Sequence, residues 1–136
     1  MTASAERSLL EEARRAAVHA HAPYSRFRVG AAVLGAGGEI VRGCNVESAS
    51  YGLSCCAERV ALFAAVSQGV RPVRLAVACV DAPEGADPVN LTPCGACRQI
   101  ALDQMGRDAI VDIDRVGSKT VGELLFLGFE LPGARA

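Results

Sequence analysis

Residues 73–80 form a nearly continuous apolar run, Val-Arg-Leu-Ala-Val-Ala-Cys-Val, the pattern of a β-strand covered on both faces. Such a strand needs a layer of structure on each side, and the rest of the chain supplies candidates. Leu9, Leu10, Ala13, Ala16, Ala17 and Ala20 recur at helical spacing over residues 4–21, with Glu and Arg between them. This first helix ends at Ala22-Pro23, because a residue before proline is pushed out of the helical region. Two β-rich runs, 29–34 and 40–46, flank the glycine-bearing segment 35–39 and read as a hairpin. A polar stretch over 47–54 leads to a second helix over 56–67, expected to be buried through Val60, Leu62, Phe63 and Val66 and closed by Gly69. Phe63 reads as packing. A loop over 81–92 is long enough to cross the rim of a site, and a third helix runs over 93–105. A short strand over 109–113 follows, and Thr120 with Glu123 matches a capping box opening a last short helix. The order α-β-β-α-β-α-β-α predicts an α/β fold, a three-layer α-β-α sandwich whose central sheet is mixed, with helices on both faces. Residues 1–136 are expected to form one domain.

The chain is 51% hydrophobic, with four Phe, two Tyr and no Trp, so its core must be aliphatic. Fourteen basic against fifteen acidic residues give a net charge of -1, which provides no steering toward a polyanion and argues against long nucleic acid as partner. No run approaches the ~18 apolar residues of a membrane span, and the N-terminus lacks a secretory apolar core; the expected location is the cytoplasm. The six cysteines therefore do not read as a disulfide framework. Cys44 and Cys79 lie singly in apolar runs and read as small buried hydrophobes.

The other four cysteines gather at helix starts. Cys94 and Cys97 are three apart, so both sulfurs can lie on one helical face and pinch a single ion, with Pro93 suited to the first turn. Taken alone, Cys-x-x-Cys has several meanings: half a structural zinc site, a redox couple or coincidence. The second cluster, Cys55-Cys56-Ala57-Glu58, narrows the choice. Three thiolate ligands, Cys56, Cys94 and Cys97, leave a fourth position open, as catalytic zinc requires, and Glu58 becomes the candidate general base. Cys55 reads as a spare thiol. The i to i+2 spacing of Cys56 and Glu58 suits one site only if the metal sits off the helix end, where unpaired amides also favour thiolates. Zn²⁺ with three thiolates sums to -1, so two helix N-termini and the flanking Arg59 and Arg98, each able to hydrogen-bond a ligating sulfur, are expected to compensate. His19 and His21 read as solvent-facing helix residues.

At this point the chain resembles the cytidine deaminase family, whose zinc signature reads here as Cys56-Ala57-Glu58 and Pro93-Cys94-Gly95-Ala96-Cys97. Pro23-Tyr24-Ser25-Arg26-Phe27-Arg28-Val29-Gly30-Ala31-Ala32, Gly43-Cys44-Asn45-Val46-Glu47 and Cys56-Ala57-Glu58-Arg59 resemble the small homotetrameric members in the same order, over roughly residues 8–129. The resemblance implies one Zn²⁺ per subunit and hydrolytic deamination of cytidine and 2'-deoxycytidine at C4 in pyrimidine salvage, with Glu58 shuttling the protons. It implies that Phe27 packs against the base, that Asn45 and Glu47 bind the ribose hydroxyls, and that the Ala57 backbone reads the base. Tyr51 and Phe129 are carried over as further substrate contacts, and the sites are expected near subunit interfaces. At the C-terminus Phe126 replaces a proline of the family pattern, leaving Phe129 to stand for the aromatic that reaches a neighbouring site. Two other readings fit the cysteines: a deaminase of another aminopyrimidine nucleoside, such as a blasticidin-type antibiotic, and a non-catalytic zinc-stabilised module.

Overall fold

In the structure, a computed structural model that describes residues 3–133 with side chains from residue 9 onward, the apolar run becomes the middle strand of a five-stranded sheet. Residues 1, 2 and 134–136 of the expected domain lie outside the described residues. The elements are α1 (Ala3–Ala16, extended by a 3-10 turn Ala17–His19), β1 (Val29–Gly35), β2 (Ile40–Cys44), α2 (Ala57–Ser67), β3 (Pro72–Cys79), α3 (Gly95–Met105), β4 (Ile110–Ile113), β5 (Gly117–Thr120) and α4 (Val121–Leu124). The strand order is β2-β1-β3-β4-β5; β1 runs antiparallel to β2 and β3, β3 parallel to β4, and β4 antiparallel to β5. The sheet is therefore mixed, as the interleaved order predicts.

Alternation along β3 builds the two faces. Ala76 and Ala78 meet Ala32, Leu9 and Ala13 under α1. Leu75 and Val77 meet Ala61, Leu62, Ala101 and Leu102 under α2 and α3. One glycine on each face lets its helix approach closely. A Cβ on Gly30 would stand 1.8 Å from the Ala13 carbonyl oxygen of α1, and one on Gly43 would stand 2.4 Å from the Ala61 amide of α2. Among the described residues no helix is long and apolar enough to cross a membrane.

Several expectations are corrected. The α-helical part of α1 stops at Ala16, and His21 lies beyond it; its amide donates to the Asn45 carbonyl and its carbonyl accepts from Glu47, so the chain is already extended there. β2 ends at Cys44, because Val46 turns away and pairs its backbone with Cys55. β5 has no counterpart in the sequence reading: Gly-Ser-Lys-Thr is an exposed edge strand and carries no apolar alternation. α2 turns Ala57, Ala61, Leu62 and Ala65 inward, which leaves Phe63 46% and Val66 49% exposed on its outer side. Phe63 is therefore not core packing within this chain.

Candidate metal centre

Two helices point their N-termini at one spot. Cys56 is the N-cap of α2 and Cys94 the N-cap of α3, both with extended backbone and neither making a side-chain capping bond. Pro93 thus precedes the cap and does not form part of the helix, because the ligating residue occupies the capping position. Cys97 lies in the first turn of α3. The Cys56 and Cys94 sulfurs are 3.8 Å apart, those of Cys94 and Cys97 3.4 Å, and all three Sγ atoms lie within 4.8 Å of one another. Tetrahedral zinc with ~2.3 Å bonds to sulfur has ligand-to-ligand edges of ~3.8 Å, so the cluster fits this ion. Cys55 is outside the group. Its backbone instead exchanges both hydrogen bonds with Val46, which lays the Asn45–Glu47 segment beside Cys56.

Even without an ion, one thiol of the cluster is favoured as a thiolate. Hydrogen bonding from Cys97 draws the Cys56 thiol down to about 5 against the opposing effect of burial, and the Arg59 guanidinium helps. Cys97 is pushed up by giving its proton to that bond and by burial; a coordinated divalent ion reverses that direction. Arg59 Nη2 donates to Cys56 Sγ at 3.6 Å, the neighbouring role expected of it. Arg98 does not take the corresponding place. Its Nε donates to the Pro93 carbonyl at 2.7 Å, Nη1 to the Leu124 carbonyl at 2.5 Å and Nη2 to Thr92 Oγ1 at 3.0 Å. These acceptors fasten the guanidinium between the metal-bearing loop and the end of α4.

Glu58, in the first turn of α2, is 5% exposed, and burial followed by the nearby Cys56 charge pushes its carboxyl up to about 7. It lines a cavity of about 170 Å³ together with Phe27, Asn45, Cys56, Ala57 and Cys94. The off-axis difficulty between Cys56 and Glu58 therefore disappears, because both sit at the helix end. Val29, Val77, Cys79, Asn90, Leu91 and Thr92 complete the wall, so the last residues of the 81–92 loop reach the site. Sequence reasoning missed these as site residues. Cys79 is half-buried and not simply core, since β3 ends where the cavity opens; burial, with Glu58 nearby, holds its thiol up at about 11, so it is neutral.

The remaining expected contacts lie outside this cavity. Glu47 and Tyr51 line a neighbouring cavity of about 390 Å³ with Tyr24, Ser25 and Ser54. The Tyr24 and Tyr51 rings meet edge to face at 6.2 Å, and Tyr51 is 76% exposed. Phe129 is 67% exposed on a tail strapped across α3, where Gln99 donates to the Phe129 carbonyl and Arg107 to the Gly128 carbonyl. Within its own chain Phe129 contributes to neither cavity. The tail's path follows from a turn at Phe126 and Leu127, the latter at a φ of 51°.

The comparisons agree with this geometry. A family model described as the cytidine and deoxycytidylate deaminase zinc-binding region matches residues 3–111, which include every cysteine of the cluster and Glu58. The chain is 46% identical over 124 residues to a cytidine deaminase of Halalkalibacterium halodurans, covering 86% of this chain and 88% of that protein. It is 47% identical over 113 residues to one from Mycobacterium tuberculosis, covering 83% and 80%. The crystal structure of a cytidine deaminase from Burkholderia pseudomallei superposes with a TM-score of 0.79 at 40% identity, over 95% of this chain and 100% of that one. Shared signature, shared fold and a sulfur cluster of zinc dimensions lead to one conclusion: the chain belongs to the cytidine deaminase family.

Proposed function

We propose that this chain works as one zinc-dependent catalytic domain that hydrolyses cytidine and 2'-deoxycytidine to uridine and 2'-deoxyuridine, releasing ammonia. The observation that carries this reading is the buried Glu58 carboxyl in the same cavity as the Cys56, Cys94 and Cys97 cluster. A purely structural metal has no use for a carboxyl at an open coordination position. Cys56, Cys94 and Cys97 would hold the zinc, which when bound would supply an acidified water as nucleophile toward C4. Glu58 would take one proton from that water and place it on the ring nitrogen beside C4, then carry the second, from the hydroxyl formed at C4, to the amino group, which leaves as ammonia as the C4 carbonyl forms. A carboxyl poised near 7 can both accept and return protons at neutral pH. Arg59 and the two helix N-termini offset the excess negative charge of three thiolates.

Phe27 forms a wall against the base and the Ala57 backbone reads it, both lining the metal cavity. That cavity is smaller than the ~300 Å³ at which small-molecule sites usually begin, so the sugar extends toward the larger cavity at Glu47. Asn45 at the metal cavity and Glu47 at the larger one bind the ribose between them. A homotetramer fits the exposed apolar side chains of Phe63, Val66, Phe126, Leu127 and Phe129, with Tyr51 and Phe129 serving sites near subunit interfaces. Pyrimidine salvage in the cytoplasm, where six unpaired cysteines remain reduced, is the setting that suits this chemistry.

Glu58→Gln tests the mechanism. The variant is expected to keep one zinc per chain and to lose cytidine turnover by roughly 10²-fold or more, the scale of a lost general acid-base group. Ammonia release and bound zinc are measured on the same sample, and undiminished turnover with zinc in place refutes the role of Glu58.

A further inference from the structure

Ser25 joins two parts of the substrate site that the sequence places far apart. Its Oγ accepts from the Phe27 amide at 3.0 Å and donates to Glu47 Oε2 at 2.5 Å. Glu47 Oε1 accepts from the amides of Tyr24 and Ser25, at 3.1 and 3.0 Å. A carboxylate has about four acceptor positions, two on each oxygen, so Oε1 is filled and Oε2 keeps one. Asn45 is also partly committed: its Oδ1 accepts from the Val29 amide at 2.9 Å and its Nδ2 donates to the Phe27 carbonyl at 2.8 Å. One N–H and one Oδ1 lone pair of Asn45 and one lone pair of Glu47 remain, and the N–H with the Glu47 lone pair complements a single sugar hydroxyl.

We infer that Ser25 is a positioning residue, whose hydroxyl aims the one free acceptor of Glu47 at a ribose hydroxyl. The inference rests on the assignment of Asn45 and Glu47 to the sugar. Phe27 is braced twice, by Ser25 at its amide and by Asn45 at its carbonyl, so it survives the loss of Ser25 Oγ. Glu47 Oε2 has no protein donor besides Ser25 Oγ among the hydrogen bonds described. Without that donor the carboxylate pivots about the two amides on Oε1, and its free lone pair has no fixed direction. The same hydroxyl, with the Ser25 amide, holds Glu47 below the usual carboxylate range, so the acceptor is fully charged at neutral pH.

The test compares cytidine with 2',3'-dideoxycytidine, which lacks both hydroxyls, in wild type, Ser25→Ala, Ser25→Thr, Glu47→Gln and the Ser25→Ala/Glu47→Gln double variant. Zinc content and thermal midpoint are checked for each protein. Ser25→Ala is expected to lose about tenfold in kcat/KM on cytidine, the scale of one hydrogen bond to a charged group, chiefly through KM, and no more than about twofold on the dideoxy substrate. Ser25→Thr restores the hydroxyl and the rate, and the double variant is no worse than Glu47→Gln. If Glu47→Gln discriminates between the substrates while Ser25→Ala loses equally on both, or on neither, the role of Ser25 is overturned. Should Glu47→Gln itself fail to discriminate, the sugar assignment falls and Ser25 falls with it.

Discussion

The N-terminal positions of α3 and α4 are occupied by pairs of residues with the same spacing and opposite purposes. At α4, Thr120 is the N-cap and Glu123 lies three residues on. Thr120 Oγ1 accepts from the Glu123 amide at 3.1 Å, and Glu123 Oε1 accepts from the Thr120 amide at 2.9 Å. At α3, Cys94 is the N-cap and Cys97 lies three residues on, yet no side chain caps the helix. The geometry that lets cap and third residue meet in a capping box instead brings two sulfurs to 3.4 Å. α2 repeats the substitution with Cys56. The chain spends its capping positions on stability where nothing else is required, and gives them to the metal at the two helices that face the site.

The strongest way to break this comparison is to restore an ordinary cap at α3. Cys94→Ser is expected to lose zinc and deaminase activity together, while its metal-free form gains up to about 1 kcal/mol over metal-free wild type because serine can accept an amide hydrogen bond. Metal analysis, activity and chemical denaturation in chelator measure the three quantities. Stoichiometric zinc in the variant would mean that Cys94 is not a ligand. The converse change at α4, Thr120→Ala, is expected to cost about 1 kcal/mol with zinc content unchanged; a drop in zinc would show that the two helix starts are coupled. The smallest effect separates charge from hydrogen bonding within the box. Backbone and side-chain bonds to Thr120 lower the Glu123 carboxyl below its ordinary value of 4.5. Its contribution is thus complete above that value and is lost as pH falls through the lowered one. Glu123→Gln should then differ slightly from wild type in thermal midpoint at pH 7 and not at all in strong acid, and a gap that persists in acid would rule out the charge.

The two helix starts were equally visible in the sequence. The capping box is local, and so is the Cys94 and Cys97 pair, because three-residue spacing on a helix dictates proximity without help from the rest of the fold. The middle strand was visible for a similar reason, since burial on both faces leaves no polar alternation to confuse it. β5 was invisible because an exposed edge strand carries no hydrophobic period. Arg98 shows the opposite failure: its place beside Cys97 suggested a contact with sulfur, but three nearby oxygens are better acceptors and claim the guanidinium. Cys79 and Ser25 gave little signal as site residues, because each acquires its role from a neighbour distant in the chain.

The sequence by itself determined which residues could hold a metal and which carboxylate could move protons, since ligand chemistry and helical spacing are properties of short segments. It also determined the layered α/β class, because an apolar strand must be covered on both faces. Only the tertiary structure decided that Cys56 stands 3.8 Å from Cys94 across two helix ends, that burial holds Glu58 in the same cavity, and that Asn45 and Glu47 are already partly committed to the distant 24–29 segment. Those facts depend on how the sheet brings separated segments together, and on which donors and acceptors each group finds there.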